Sequence, residues 1–232
     1  MRVRKFFLLV LWALLCASTA AAAAEASKRV VTDVLLATVG NETISAEQLQ
    51  IEAQIIARTG VWFAFEKPPA AITEQNVFEE TMSRVLLYQT ARKMGFGDVA
   101  ATDVDDAVTA FRETFGDDNA YRAWLTKYQI ADDAMPVGGA EQAEYYPLKR
   151  HFLRQMVIDQ YLDKKITMQV KLGLDEYLTQ NRARLQREHP QADNDELGRV
   201  AHRELFVQQL RELVADLRKH AKVVILSDRV KM

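Results

Sequence analysis

The chain has 232 residues, 49% of them apolar and 27% charged, which excludes a disordered or collagen-like chain. Only 9 glycines and 5 prolines interrupt it, so helices can run long. The formal net charge is −2, and without an excess of Lys and Arg a nucleic-acid partner is not expected.

Residues 1–24 read as a secretory signal peptide. Arg2, Arg4 and Lys5 form the basic start, Phe6–Ala17 is an unbroken apolar run, and Ala20–Ala24 offers small residues for cleavage after Ala24. The alternative is an uncleaved inner-membrane anchor. The run is rich in Ala, a weak membrane residue, so cleavage is the preferred reading. Residues 25–232 then form a single extracytoplasmic domain with no stable membrane insertion. Cys16 is the only cysteine and falls in the leader. The mature chain therefore has no disulfide, Cys-based zinc site or Cys nucleophile, and rests on its hydrophobic core.

Val34–Val39 reads as a short strand, Gly40-Asn41-Glu42 as a turn, and Thr43-Ile44 as the return. Ser45 with Gln48 forms a capping box for a helix through about Arg58, stopped by Gly60. Thr73 caps a helix running to about Met94, whose wide apolar set from Val77 to Met94 predicts a central position. Thr102 caps a shorter helix ending at Gly116, and Asp118 or Asn119 caps the next. A long helix runs from about Ala140 or Pro147 to Ile166, and Gly173 begins a further helical stretch ended by His189-Pro190. The last helix starts in the acidic segment Asp193–Glu196 and reaches about His220, and Lys222–Leu226 closes the chain as a strand. The expected fold is mostly α, with a short N-terminal strand pairing with a C-terminal one, because isolated strands are unstable alone.

No nucleophile elbow, zinc-protease helix, P-loop or dinucleotide fingerprint is present, so no catalytic residue and no cofactor is assigned. His151, His189, His202 and His220 never fall one helical turn apart, and read as solvated helix-face residues without a metal. Asp103, Asp105 and Asp106 fail as a calcium loop, because the sixth and twelfth positions counted from Asp103 are Val108 and Thr114. Trp62, Phe63 and Phe65 crowd a connection bounded by Pro68-Pro69. Three such rings either fill a core gap or line a groove for extended peptides, and they are the candidate peptide-binding residues. Met82, Met94 and Met156 read as core, although methionines also suit adaptable binding surfaces.

The order of these parts carries a resemblance. Ala37–Ser45 resembles the opening strand and turn of the SurA-like periplasmic chaperones and their parvulin relatives, with Gly40 and Asn41 in swapped order. Val85–Gly95 resembles the family's helix ending in Gly, Thr102–Asp105 its next helix start, and Phe115-Gly116 with Tyr121–Leu125 the following segment. Val157–Ile166, Leu174–Tyr177 and Ala221–Ile225 resemble its long helix, the segment after it and its closing strand. Residues 132–147 look like an insertion. A parvulin domain of roughly 100 residues, a usual domain size, has no room between Asn181 and Asp193.

The resemblance implies a SurA N-terminal-like helical chaperone domain in the periplasm, without the isomerase domain. It would bind unfolded or partly folded polypeptides, of the outer-membrane type, without catalysis. Two alternatives stand beside it. One is an extracytoplasmic scaffold with one fixed protein partner, a homodimer being one form of it. The other is a peptidyl-prolyl isomerase by family label, against which the missing catalytic domain speaks.

Overall fold

The computed structural model describes residues 33–64, 69–130 and 143–230. The leader, Phe65 and most of the expected 132–147 insertion lie outside the described residues. Leu35–Met232 form one compact unit, and of the residues before it only Asp33 and Val34 are described.

The sheet has three antiparallel strands in the order β2-β1-β3: β1 Leu35–Val39, β2 Glu42–Ser45 and β3 Val223–Ile225. The tight turn between β1 and β2 depends on Gly40, which sits at φ +62°, and a Cβ there would come 2.5 Å from Gln89 Oε1. The two ends of the chain pair as expected, with Ala37 opposite Ile225, Thr38 opposite Val224 and Val39 opposite Val223. Backbone hydrogen bonds extend the pairing at both ends, from Gly40 N to Lys222 O at 2.9 Å and from Leu226 N to Leu36 O at 2.8 Å.

Six long helices follow from local signals among the described residues. Helix α1, Ala46–Thr59, starts where Ser45 Oγ accepts from Gln48 N and ends at Gly60 with φ +68°. Helix α2, Glu74–Lys93, is capped by Thr73, whose hydroxyl accepts from Asn76 N. Helix α3, Ala101–Glu113, begins two residues earlier than a Thr102 cap would place it. Its cap residue is Ala100, which offers no side-chain acceptor. Helix α4, Asp118–Tyr128, is capped by Asp117, accepting from Ala120 N at 2.8 Å, and not by Asp118 or Asn119.

Helix α5, Pro147–Glu188, is one continuous helix of 42 residues, so Gly173 does not divide it. A mid-helix glycine costs only about 1 kcal/mol, which packing outweighs. Helix α6, Asn194–His220, is capped by Asp193 and runs back along α5. Met94, expected inside, is 65% exposed because it lies past the last turn of α2.

Helix α2 is buried around most of its surface and joins two halves of the core. Phe78, Met82 and Val85 pack under the sheet with Leu36, Val39, Ile44 and Val230. Leu87 and Ala91 pack on the other side with Val157, Tyr161 and Leu162 of α5 and Leu210 and Val214 of α6. Helices α3 and α4 close a third cluster with α1 and α5 through Phe111, Tyr121, Leu125, Ile55 and Leu148. A small cluster of Leu185, Leu197 and Ala201 draws only on the far end of the α5–α6 hairpin. From Lys171 to Glu188, α5 therefore extends as an arm of about 27 Å, at 1.5 Å per residue.

Candidate functional site

The aromatic connection after α1 is tied down from beneath. Glu80 of α2 is fully buried, and its Oε2 accepts from Phe63 N at 2.7 Å and Ala64 N at 2.8 Å. Its Oε1 accepts from Arg84 Nε at 2.8 Å, one turn along α2. Arg84 in turn donates to Val61 O at 3.0 Å and to Gln155 Oε1 of α5 at 2.7 Å. Gln155 passes a hydrogen bond to Asp159 Oδ1 at 2.9 Å, and burial pushes that carboxyl up. Both carboxylate oxygens of Glu80 and all three guanidinium nitrogens of Arg84 are hydrogen-bonded, as a buried ion pair requires if it is not to destabilise the fold.

This anchoring sends the predicted rings to different places. Phe63 is 8% exposed, packed in the α2–α5–α6 core with the Arg84 guanidinium 4.9 Å from its ring centre. Trp62 is half-buried against the sheet-side core. Phe65 lies outside the described residues. The connection therefore does not present Trp62 and Phe63 as one aromatic surface.

A second buried pair joins α1 to α5. Glu52 Oε2 lies 2.8 Å from His151 Nδ1, and both side chains are shielded from solvent. His151 is thus a core residue, not a solvated one, because it faces α1 and Phe152 rather than the outer side of α5. Lys149, almost wholly buried, pairs with Asp105 of α3 at 2.8 Å. Arg154 of α5 bridges Glu42 of β2 at 2.6 Å and Glu144 at 2.9 Å. Burial and a hydrogen bond to Glu144 push the Tyr88 hydroxyl up to about 12. These contacts hold the helices around α5. Among the described residues no group of three or more His, Cys, Asp or Glu could hold a metal ion, and no helix is long and apolar enough to cross a membrane.

The open surface lies on the hairpin arm. Arg184 fixes the two helices of the arm by pairing with Glu204 at 2.6 Å, and Tyr177 donates to the same carboxylate at 2.9 Å. The Arg184 hydrogen bond holds the Glu204 carboxyl below its usual range. Beside this clasp runs a shallow groove of about 870 Å³, with Leu174, Gly198 and Phe206 along it and Arg199, His202 and Arg203 on its rim. On the outer side of α5, Met168 and Leu172 stand one turn apart and are 67% and 82% exposed. On the sheet side, Leu35, Val224 and Leu226 are also exposed.

The groove was partly visible in the sequence. Arg199, His202, Arg203 and Phe206 recur at helical spacing on α6, which places them on one face. The pattern places Phe206 inward, and it is half-buried, packed against the core along one side of the groove. Which neighbour leaves that face uncovered is set by how α5 crosses α6, and spacing does not carry that. No family model and no curated protein matches the chain.

Proposed function

We propose that this domain holds unfolded or partly folded polypeptides in the periplasm, without bond chemistry. The observation that carries the reading is the hairpin arm, where Met168 and Leu172 are exposed and Leu174 and Phe206, half-buried against the core, show apolar surface along the groove. Burying such surface yields about 25 cal/mol per Å² before ordering costs, so scattered contacts give weak and exchangeable binding. Methionine on such a surface adapts to clients of different shape. The absence of a catalytic motif from the sequence and the SurA-like order of elements support the same reading. The leader-like sequence of residues 1–24 supports work outside the cytoplasm, where outer-membrane-type polypeptides would pass in unfolded form.

A fixed-partner scaffold is the second reading, and the exposed sheet residues Leu35, Val224 and Leu226 favour it. Titrating a panel of unrelated denatured polypeptides into the labelled protein separates the two. Weak binding to most of the panel supports a chaperone. Indifference to the panel, with one tight stoichiometric complex or a homodimer, supports the scaffold.

A further inference from the structure

We infer that the groove on the arm receives an acidic amphipathic peptide segment. The inference rests on the polypeptide-binding reading and names the client chemistry that the arm prefers. Three observations converge on one face of α6. Arg199, His202 and Arg203 line the groove, and none of them forms a hydrogen bond or ion pair among the described residues. Leu174 and Phe206 give the groove an apolar side, and both are half-buried. Gly198 leaves the floor open, because a Cβ built there meets nothing within 4 Å.

Two arginines one turn apart stand about 6 Å from each other along the axis. They match carboxylates one turn apart on a helical partner, or two apart on an extended one. An apolar residue of the same segment then reaches Phe206, one turn beyond Arg203. The groove is short, so it reads a segment of two to three turns and not a folded surface.

A flat anionic bilayer fits less well. Asp195 lines the same groove, and the exposed carboxylates Asp175 and Glu176 follow Leu174 directly, so the face is not of one sign. A peptide can place its own charges to avoid them, whereas a bilayer cannot.

The test uses the purified protein and two dye-labelled peptides of about 15 residues, long enough for two or three helical turns. One carries Glu beside Leu and Phe, and the other has Gln at every Glu. Anisotropy titrations at low and moderate salt give the affinities. The Glu peptide should bind about fivefold tighter, the sum expected from two exposed charge pairs, and added salt should erase the difference. R199E/R203E should reverse the preference, since both side chains are exposed and unpaired. G198L should weaken both peptides while leaving the melting temperature equal or higher, because the new side chain meets open space and favours the helix.

Equal affinity for the Glu and Gln peptides, unchanged by R199E/R203E, would overturn the inference while leaving polypeptide binding in place. Binding of neither peptide, with no effect on client aggregation, would overturn both. Vesicles of phosphatidylglycerol provide the remaining arm. Arg199- and Arg203-dependent binding to vesicles, without a preference between peptides, would assign the groove to membrane and overturn the peptide proposal.

Discussion

Glu52 Oε2 and His151 Nδ1 lie 2.8 Å apart in the contact between α1 and α5, where both side chains are shielded from solvent. Burial alone would push the Glu52 carboxyl up. The charge and hydrogen bond of His151, with Arg84 and Arg150 behind them, outweigh burial and bring it down to about 2. In the unfolded chain the same carboxyl titrates near 4.5. A depressed native value means the stabilisation is complete above 4.5 and is lost as pH falls from there towards 2. The loss should be on the order of 3 kcal/mol. Melting temperatures between about pH 6 and 2 should fall steeply for the wild type and less steeply for E52Q. Parallel acid limbs for the two proteins would show that another group controls acid unfolding.

The Glu80–Arg84 pair makes a separate prediction about the aromatic connection. R84M leaves the Glu80 carboxylate buried with only two backbone donors, and should cost about 3–5 kcal/mol. Hydrogen exchange at the Phe63 and Ala64 amides should also rise in this variant more than at the α2 amides. Uniform acceleration across the domain would mean that the pair supports global stability without specifically holding the connection.

Of the four described helix starts closed by a side chain, three were legible, and the fourth, at Asp117, was displaced to Asp118 or Asn119. Ser45, Thr73 and Asp193 each accept a backbone N–H three residues on, and glycines at positive φ stop α1 and follow α3. Ala100 carries no such side chain, so the start of α3 was displaced to Thr102. Gly173 looked like a boundary because its weak helix propensity is local, whereas the packing of α5 on α6 that overrides it is not. The pairing of β1 with β3 could be inferred because a lone C-terminal strand needs a partner and β1 has an edge that β2 does not cover. The burial of Phe63 could not, because it depends on Glu80 and Arg84 reaching across from another element. The groove on the arm was only partly legible for the same reason, since residue spacing gives the faces of a helix but not which face stays uncovered.

Glycine positions offer opposite predictions from one substitution. A Cβ on Gly173 would meet only Leu205 Cδ2, at 3.6 Å, an ordinary contact inside a helix. G173A should therefore stabilise the protein by up to about 1 kcal/mol. G40A should destabilise it, since φ is +62° and Gln89 Oε1 already fills the space. Denaturant midpoints check both, and a loss of stability in G173A would show that the arm needs the glycine.

Removal of residues 222–232 should lower the melting temperature of the whole domain in one cooperative step. β3 is hydrogen-bonded along β1, and Val230 is fully buried against β1 and α2, so the deletion opens the sheet-side core. An unchanged melting temperature would mean that β1, β2 and the helices suffice without closure by the C-terminus.

The measurement that bears most directly on the account is light scattering from a denatured outer-membrane-type polypeptide diluted into buffer with increasing amounts of the protein and no nucleotide. Scattering should fall progressively as protein is added, and M168S/L172S should suppress it less while keeping the wild-type melting temperature, because both side chains are already exposed. Undiminished scattering at every ratio, from protein shown to be folded, would contradict polypeptide holding and leave the fixed-partner scaffold as the better reading.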